Sequence, residues 1–97
     1  MSHERILNLC NRVRAKLGKK PVKRLKKGVM DDSACCPIAR TIGGVEVGDT
    51  TIDKAWTWET IITLPKYAQD WIKAFDNKEI PELLSDPNQA VRDRPLL

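Results

Sequence analysis

The stretch Asp31-Asp32-Ser33-Ala34-Cys35-Cys36-Pro37-Ile38-Ala39-Arg40-Thr41-Ile42-Gly43-Gly44 constrains this chain most, because it holds the start, body and stop of one local unit. Pro37 suits a first helical position, where its missing N–H is no loss, and Gly43-Gly44 gives an exit that needs positive φ. The spacing predicts a short helix over 37–42. Ile38, Ala39 and Ile42 fall at i, i+1 and i+4, and a helix so short is marginal alone, so apolar contacts have to pin it. Charge divides at the same place: residues 1–30 carry ten Lys/Arg against Glu4 alone, whereas residues 31–97 carry seven Lys/Arg against twelve Asp/Glu. A basic end and an acidic body imply either a polyanionic partner for the former or partial self-neutralisation between the two.

The 97 residues suffice for one domain with a single modest core and little surplus for an enclosed active site. Met1-Ser2-His3-Glu4 opens directly into a charged amphipathic pattern with no apolar signal core, and no run of about eighteen apolar residues follows. The expectation is a soluble, cytoplasmic protein with no membrane partner. Three cysteines, two of them adjacent, do not make a disulfide framework, and free thiols in a reducing compartment are expected.

From Glu4 to Leu17 the apolar residues Ile6, Leu9, Cys10, Val13 and Leu17 recur at helical spacing, and Gly18 ends the pattern. Ser2 is the expected N-cap. Residues 19–28 hold six cations with Pro21 near the front and Gly28 at the end, which reads as a basic loop tied down only by Val22 and Leu25. Beyond Gly44, Val45-Glu46-Val47 and Thr50-Thr51-Ile52 flank Gly48-Asp49, a two-residue hairpin signal. Strand-like composition resumes over 56–63, where a period of two puts Trp56, Trp58, Thr60 and Ile62 on one face. Leu64-Pro65 starts a second substantial helix with Pro65 in its first turn and Ala68, Trp71, Ile72 and Phe75 as the buried stripe. Ile80-Pro81-Glu82-Leu83-Leu84 makes a last short turn that covers the open end of the core.

The fold class expected is α+β: one small domain over 1–85 with helices near 4–17, 37–42, 65–76 and 81–84, a small antiparallel sheet between 45 and 63, and a mobile tail over 86–97. Its core comprises Ile6, Cys10, Val13, Leu17, Ile38, Ile42, Ile62, Ala68, Trp71, Ile72 and Phe75.

Three pieces, Arg12-Val13-Arg14-Ala15-Lys16-Leu17-Gly18, Cys36-Pro37-Ile38-Ala39-Arg40-Thr41-Ile42, and Leu64-Pro65 leading to Phe75-Asp76 and Ile80-Pro81-Glu82-Leu83, together resemble small uncharacterised proteins of actinobacteriophages, the mycobacteriophages in particular. The resemblance spans about residues 11–84. It implies an origin and a bacterial cytoplasm, and brings no catalytic residues with it.

Chemistry is sparse. The one histidine, His3, falls in a terminus expected to fray, so no general base is placed beside a nucleophile. Cys36 at a helix start is the best nucleophile on offer, yet without a fixed histidine it reads as a small buried or cap residue, with Cys35 its exposed neighbour. His3, Cys10, Cys35 and Cys36 lack the paired spacing of a zinc site, and an all-thiolate iron–sulfur cluster needs four cysteines. No enzymatic activity, metal or cofactor is expected. Two functions remain. The first is a protein-binding regulator or host-interaction factor whose partner is a host or phage protein, acting through Trp56, Trp58 and Trp71 or a neighbouring patch, although Trp71 on the helix stripe also reads as ordinary core packing. The alternative is a nucleic-acid binder using residues 12–27, with Arg12, Lys16, Lys19, Lys20, Lys23, Arg24, Lys26 and Lys27 as the phosphate contacts. No aromatic interleaves these cations in sequence, which argues against a single-strand platform.

Overall fold

The computed structural model describes residues 3–85; the expected N-cap at Ser2 and the tail over 86–97 lie outside the described residues. Helix α1 spans His3–Lys16 and turns its buried stripe, Ile6, Leu9, Cys10 and Val13, onto helix α2, Pro37–Ile42. Leu17 lies in the turn beyond the helix, ahead of Gly18 at φ 73°, and is half-buried rather than core.

Helix α2 is short and held at both ends. Cys36 is its N-cap, with Sγ 3.4 Å from the Ala39 N–H that it accepts, and Gly43 leaves at φ 81°. Pro37, Ile38, Ala39, Thr41 and Ile42 are all buried, so tertiary contacts supply what six residues of helix propensity lack. The fully buried Thr41 hydroxyl donates to the Pro37 carbonyl (2.6 Å) and accepts from the Lys26 N–H (2.8 Å), leaving it no unsatisfied bond.

Strands β1 (Val45–Val47), β2 (Thr51–Lys54) and β3 (Thr60–Thr63) form an antiparallel sheet in the order β1-β2-β3. Val47 pairs with Ile52, and the Gly48 N–H donates to the Thr51 carbonyl at 2.9 Å. The two central turn residues are therefore Asp49 and Thr50, one position later than the glycine-first signal suggests. Gly48 does not take a positive φ there, so it closes the ladder instead of turning the chain. Val45, Val47 and Ile52 face the core. Ile62, opposite Ile52, is only half-buried because β3 is an edge strand and the register shifts beside that pair.

Helix α3, Lys66–Asp76, has Pro65 as its N-cap, one residue ahead of the helical turn expected for it. Ala68, Trp71, Ala74 and Phe75 are its buried stripe, and Trp71 stacks on Phe75 with ring centres 6.0 Å apart and planes 5° from parallel. Ile72 sits at the margin of that stripe and is half-buried. The 3₁₀ turn Pro81–Leu83 then brings Ile80 and Leu83 over the end of the core. From there the chain meets Gly28 in a parallel bridge: the Gly28 N–H donates to Leu83 (2.8 Å) and the Ser85 N–H to Gly28 (3.1 Å). The architecture is thus α+β: among the described residues, three α-helices and a three-stranded antiparallel meander pack about one core.

Candidate functional site: a tryptophan turn beside a cationic edge

Residues 55–59 join β2 to β3 and do not continue the strand. Trp58 sits at φ 60°, a left-handed conformation that bulky aromatics rarely adopt, and it breaks the period-two alternation expected over 56–63. The turn is ordered by its own bonds. The Lys54 N–H donates to Glu59 (2.8 Å), the Trp58 N–H to Lys54 (2.9 Å) and the Glu59 N–H to the Thr57 hydroxyl (3.4 Å). The Lys54 ammonium and Glu59 carboxylate add an ion pair at 3.5 Å. Held this way, Trp56 is 92% exposed and Trp58 67% exposed. Neither indole joins a ring contact among the described residues, where aromatic pairing is confined to His3, Trp71 and Phe75.

The cations of segment 12–27 divide by what they touch. Lys19 is not available to a ligand: its ammonium sits on the Ile42 (3.1 Å) and Gly43 (2.5 Å) carbonyls. Arg14 joins it, donating to Thr41 (3.0 Å), Ile42 (2.8 Å) and the Lys20 carbonyl (2.7 Å). Together they complement the C-terminal dipole of α2, a structural role that sequence spacing does not reveal. Arg12, Lys16, Lys20, Lys23, Arg24, Lys26 and Lys27 are exposed. Among the described residues the ion pairs are Lys54 with Glu59 and Lys66 with Asp70, while His3 Nε2 hydrogen-bonds to Glu82. None of the exposed cations of 12–27 is in them, so among the described residues this segment does not pair directly with the acidic body.

The segment is also anchored at more points than Val22 and Leu25. The Asn11 side chain brackets Val22, donating to its carbonyl (2.9 Å) and accepting from its N–H (2.8 Å), and Thr41 holds Lys26. Lys54, a residue that the sequence did not single out, shares an open cleft of about 530 Å³ with Lys16, Leu17, Glu59, Thr60 and Ile61.

The nucleophile candidates lie elsewhere. Burial pushes the Cys10 thiol up to about 12, with Cys36 adding to it, and burial pushes Cys36 up to about 11. Cys35 is half-buried, more enclosed than expected. His3 is no frayed terminus: its Nδ1 accepts from the Trp71 indole N–H (3.1 Å) and its Nε2 meets Glu82 at 2.8 Å. Asp31, Asp32, Asp49 and Asp76 line a separate cleft, in which burial raises the Asp76 pKa and the nearby Asp31 and Asp49 raise it further, against a hydrogen bond from the Asp31 N–H. Among the described residues no group of three or more His, Cys, Asp or Glu is placed to hold a metal ion, and no helix is long and apolar enough to cross a membrane.

Compared with known protein families, curated proteins and solved structures, the chain finds no match.

Proposed function

We propose that this protein is a small binding protein that acts by docking, not by catalysis, with the 54–59 turn as its recognition element. The observation that carries this reading is the exposure of Trp56 and Trp58, the two exposed large hydrophobics among the described residues, on a turn fixed by four internal contacts. Tryptophan contributes large apolar area with few rotatable bonds, so an ordered turn presenting two indoles loses little entropy on binding. The burial that keeps Cys10 and Cys36 protonated supports a non-catalytic role, because the thiolate is the reactive form. The resemblance to actinobacteriophage proteins directs the search for a partner, as a regulator or host-interaction factor, to a mycobacterial lysate.

The test is affinity capture from that lysate, with and without nuclease, by the wild-type chain and by a variant carrying Trp56→Ala and Trp58→Ala. The expected result is one species retained by the wild type and lost by the variant at unchanged melting temperature. Identical capture by both chains would place recognition elsewhere on the surface.

A further inference from the structure

Tertiary structure brings the tryptophan turn to the cations that the sequence keeps apart from it. Ala55, next to Trp56, donates its N–H to the Gly44 carbonyl at 3.2 Å, and the Lys19 ammonium rests on the adjoining Gly43 carbonyl at 2.5 Å. The base of the turn and the start of the basic segment therefore meet at the end of α2. From that point the segment runs back along α1: Lys20 lies at Arg14, Val22 at Asn11, and Lys23, Arg24 and Leu25 border a cleft with Leu7, Glu4 and His3. Fourteen helical residues make this edge about 21 Å long. Lys16 and Lys54 lie together at the end nearest the tryptophans.

Resting on the reading of this turn as the recognition element, we infer that its ligand is single-stranded nucleic acid, with bases stacked on Trp56 and Trp58 and the phosphate backbone following Lys16, Lys20 and Lys23. Two features select this ligand. The indoles have no ring partner among the described residues, leaving faces for unpaired bases, whereas the bases of a duplex are already stacked within it. Beside them runs an edge of cations, Lys16, Lys20 and Lys23, that make no ion pair among the described residues and that a polyanionic strand complements along its length. A protein anchored on the tryptophans alone has no use for that edge.

The experiment is anisotropy of a fluorescein-labelled dT oligonucleotide, titrated with the full chain at several salt concentrations. Saturable binding is expected, tighter to the single strand than to a duplex of equal length, and quenching of tryptophan emission should accompany it. Trp56→Ala and Trp58→Ala should each weaken binding by roughly tenfold or more. Replacing Lys16, Lys20 and Lys23 with Gln should make the salt slope shallower by about 0.7 for each phosphate contact removed. Equal affinity for duplex, or tryptophan variants that bind the oligonucleotide like wild type, would overturn the inference. The same holds if the oligonucleotide does not bind while phosphatidylserine vesicles shift the tryptophan emission to the blue. Should the lysate instead yield a nuclease-resistant protein lost with the tryptophan variant, the inference falls and the docking reading stands; no dependence on the tryptophans in either assay defeats both.

Discussion

Asp76 carries the clearest electrostatic cost at a single residue. Its folded pKa lies above the ordinary carboxylate value because it is partly buried and faces Asp31 and Asp49. A raised carboxylate pKa means that the folded state holds its proton more tightly than the unfolded chain, so the penalty is absent at pH below the unfolded value and develops as pH rises through the folded one. Asp76→Asn keeps an acceptor for the Asp31 N–H and removes the charge. Its melting temperature should exceed that of wild type at pH 7 and coincide with it near pH 3; a uniform offset at both would contradict the electrostatic origin. The thiols give a second test at this scale. Native protein should react with Ellman's reagent at Cys35 before Cys10 and Cys36, both of which are buried and protonated, and unfolding should release all three.

At the scale of elements, the start of α2 is where the fold is least forgiving. Gly28 lies against the backbone of Cys35, Cys36 and Pro37, and a Cβ there would overlap all three. The same residue bridges to Leu84, so the end of the basic segment, the N-cap of α2 and the chain after the 3₁₀ turn converge on one position without a side chain. Overpacking of side chains costs about 1–3 kcal/mol, and backbone yields less readily. Gly28→Ala should therefore lose at least about 3 kcal/mol in denaturant melts. Gly48→Ala is the control, since a Cβ there meets only the Thr51 carbonyl at an ordinary 3.7 Å, and it should be nearly neutral. Equal losses at the two positions would show that close approach is not what holds Gly28.

At the scale of the molecule, charge is separated and, among the described residues, little of it is cancelled by direct pairing. The exposed cations of the basic segment make no ion pair among the described residues, and four aspartates gather in a cleft of their own. Replacing Lys20, Lys23, Arg24, Lys26 and Lys27 with Gln should thus change stability by less than about 0.5 kcal/mol. Lys19→Gln alone should cost about 1 kcal/mol, because it uncovers the C-terminal carbonyls of α2. Thermal melts at low and high salt check both. A large loss in the five-fold variant that shrinks at high salt would mean that the segment neutralises the acidic body at long range.

What local interactions govern was legible in the chain. Helical periodicity places Ile6, Cys10 and Val13 on one face of α1 and Ala68, Trp71 and Phe75 on one face of α3, while Pro37 and Gly43 bracket α2. Those signals act over three or four residues, and they survive folding because the helices form around them. Strand signals are weaker: they located the sheet but missed Val45, Val47 and Ile52 as core, since which face of a strand is buried depends on what packs against it. The candidate site was the least legible. Arg14 and Lys19 bond to residues 23–28 positions away, and these contacts separate structural cations from free ones. A left-handed Trp58 turned an expected strand face into an exposed turn, and a hydrogen bond from Ala55 to Gly44 set that turn against the basic edge. These features come from packing alone, because contacts between distant segments leave no periodic trace in the chain.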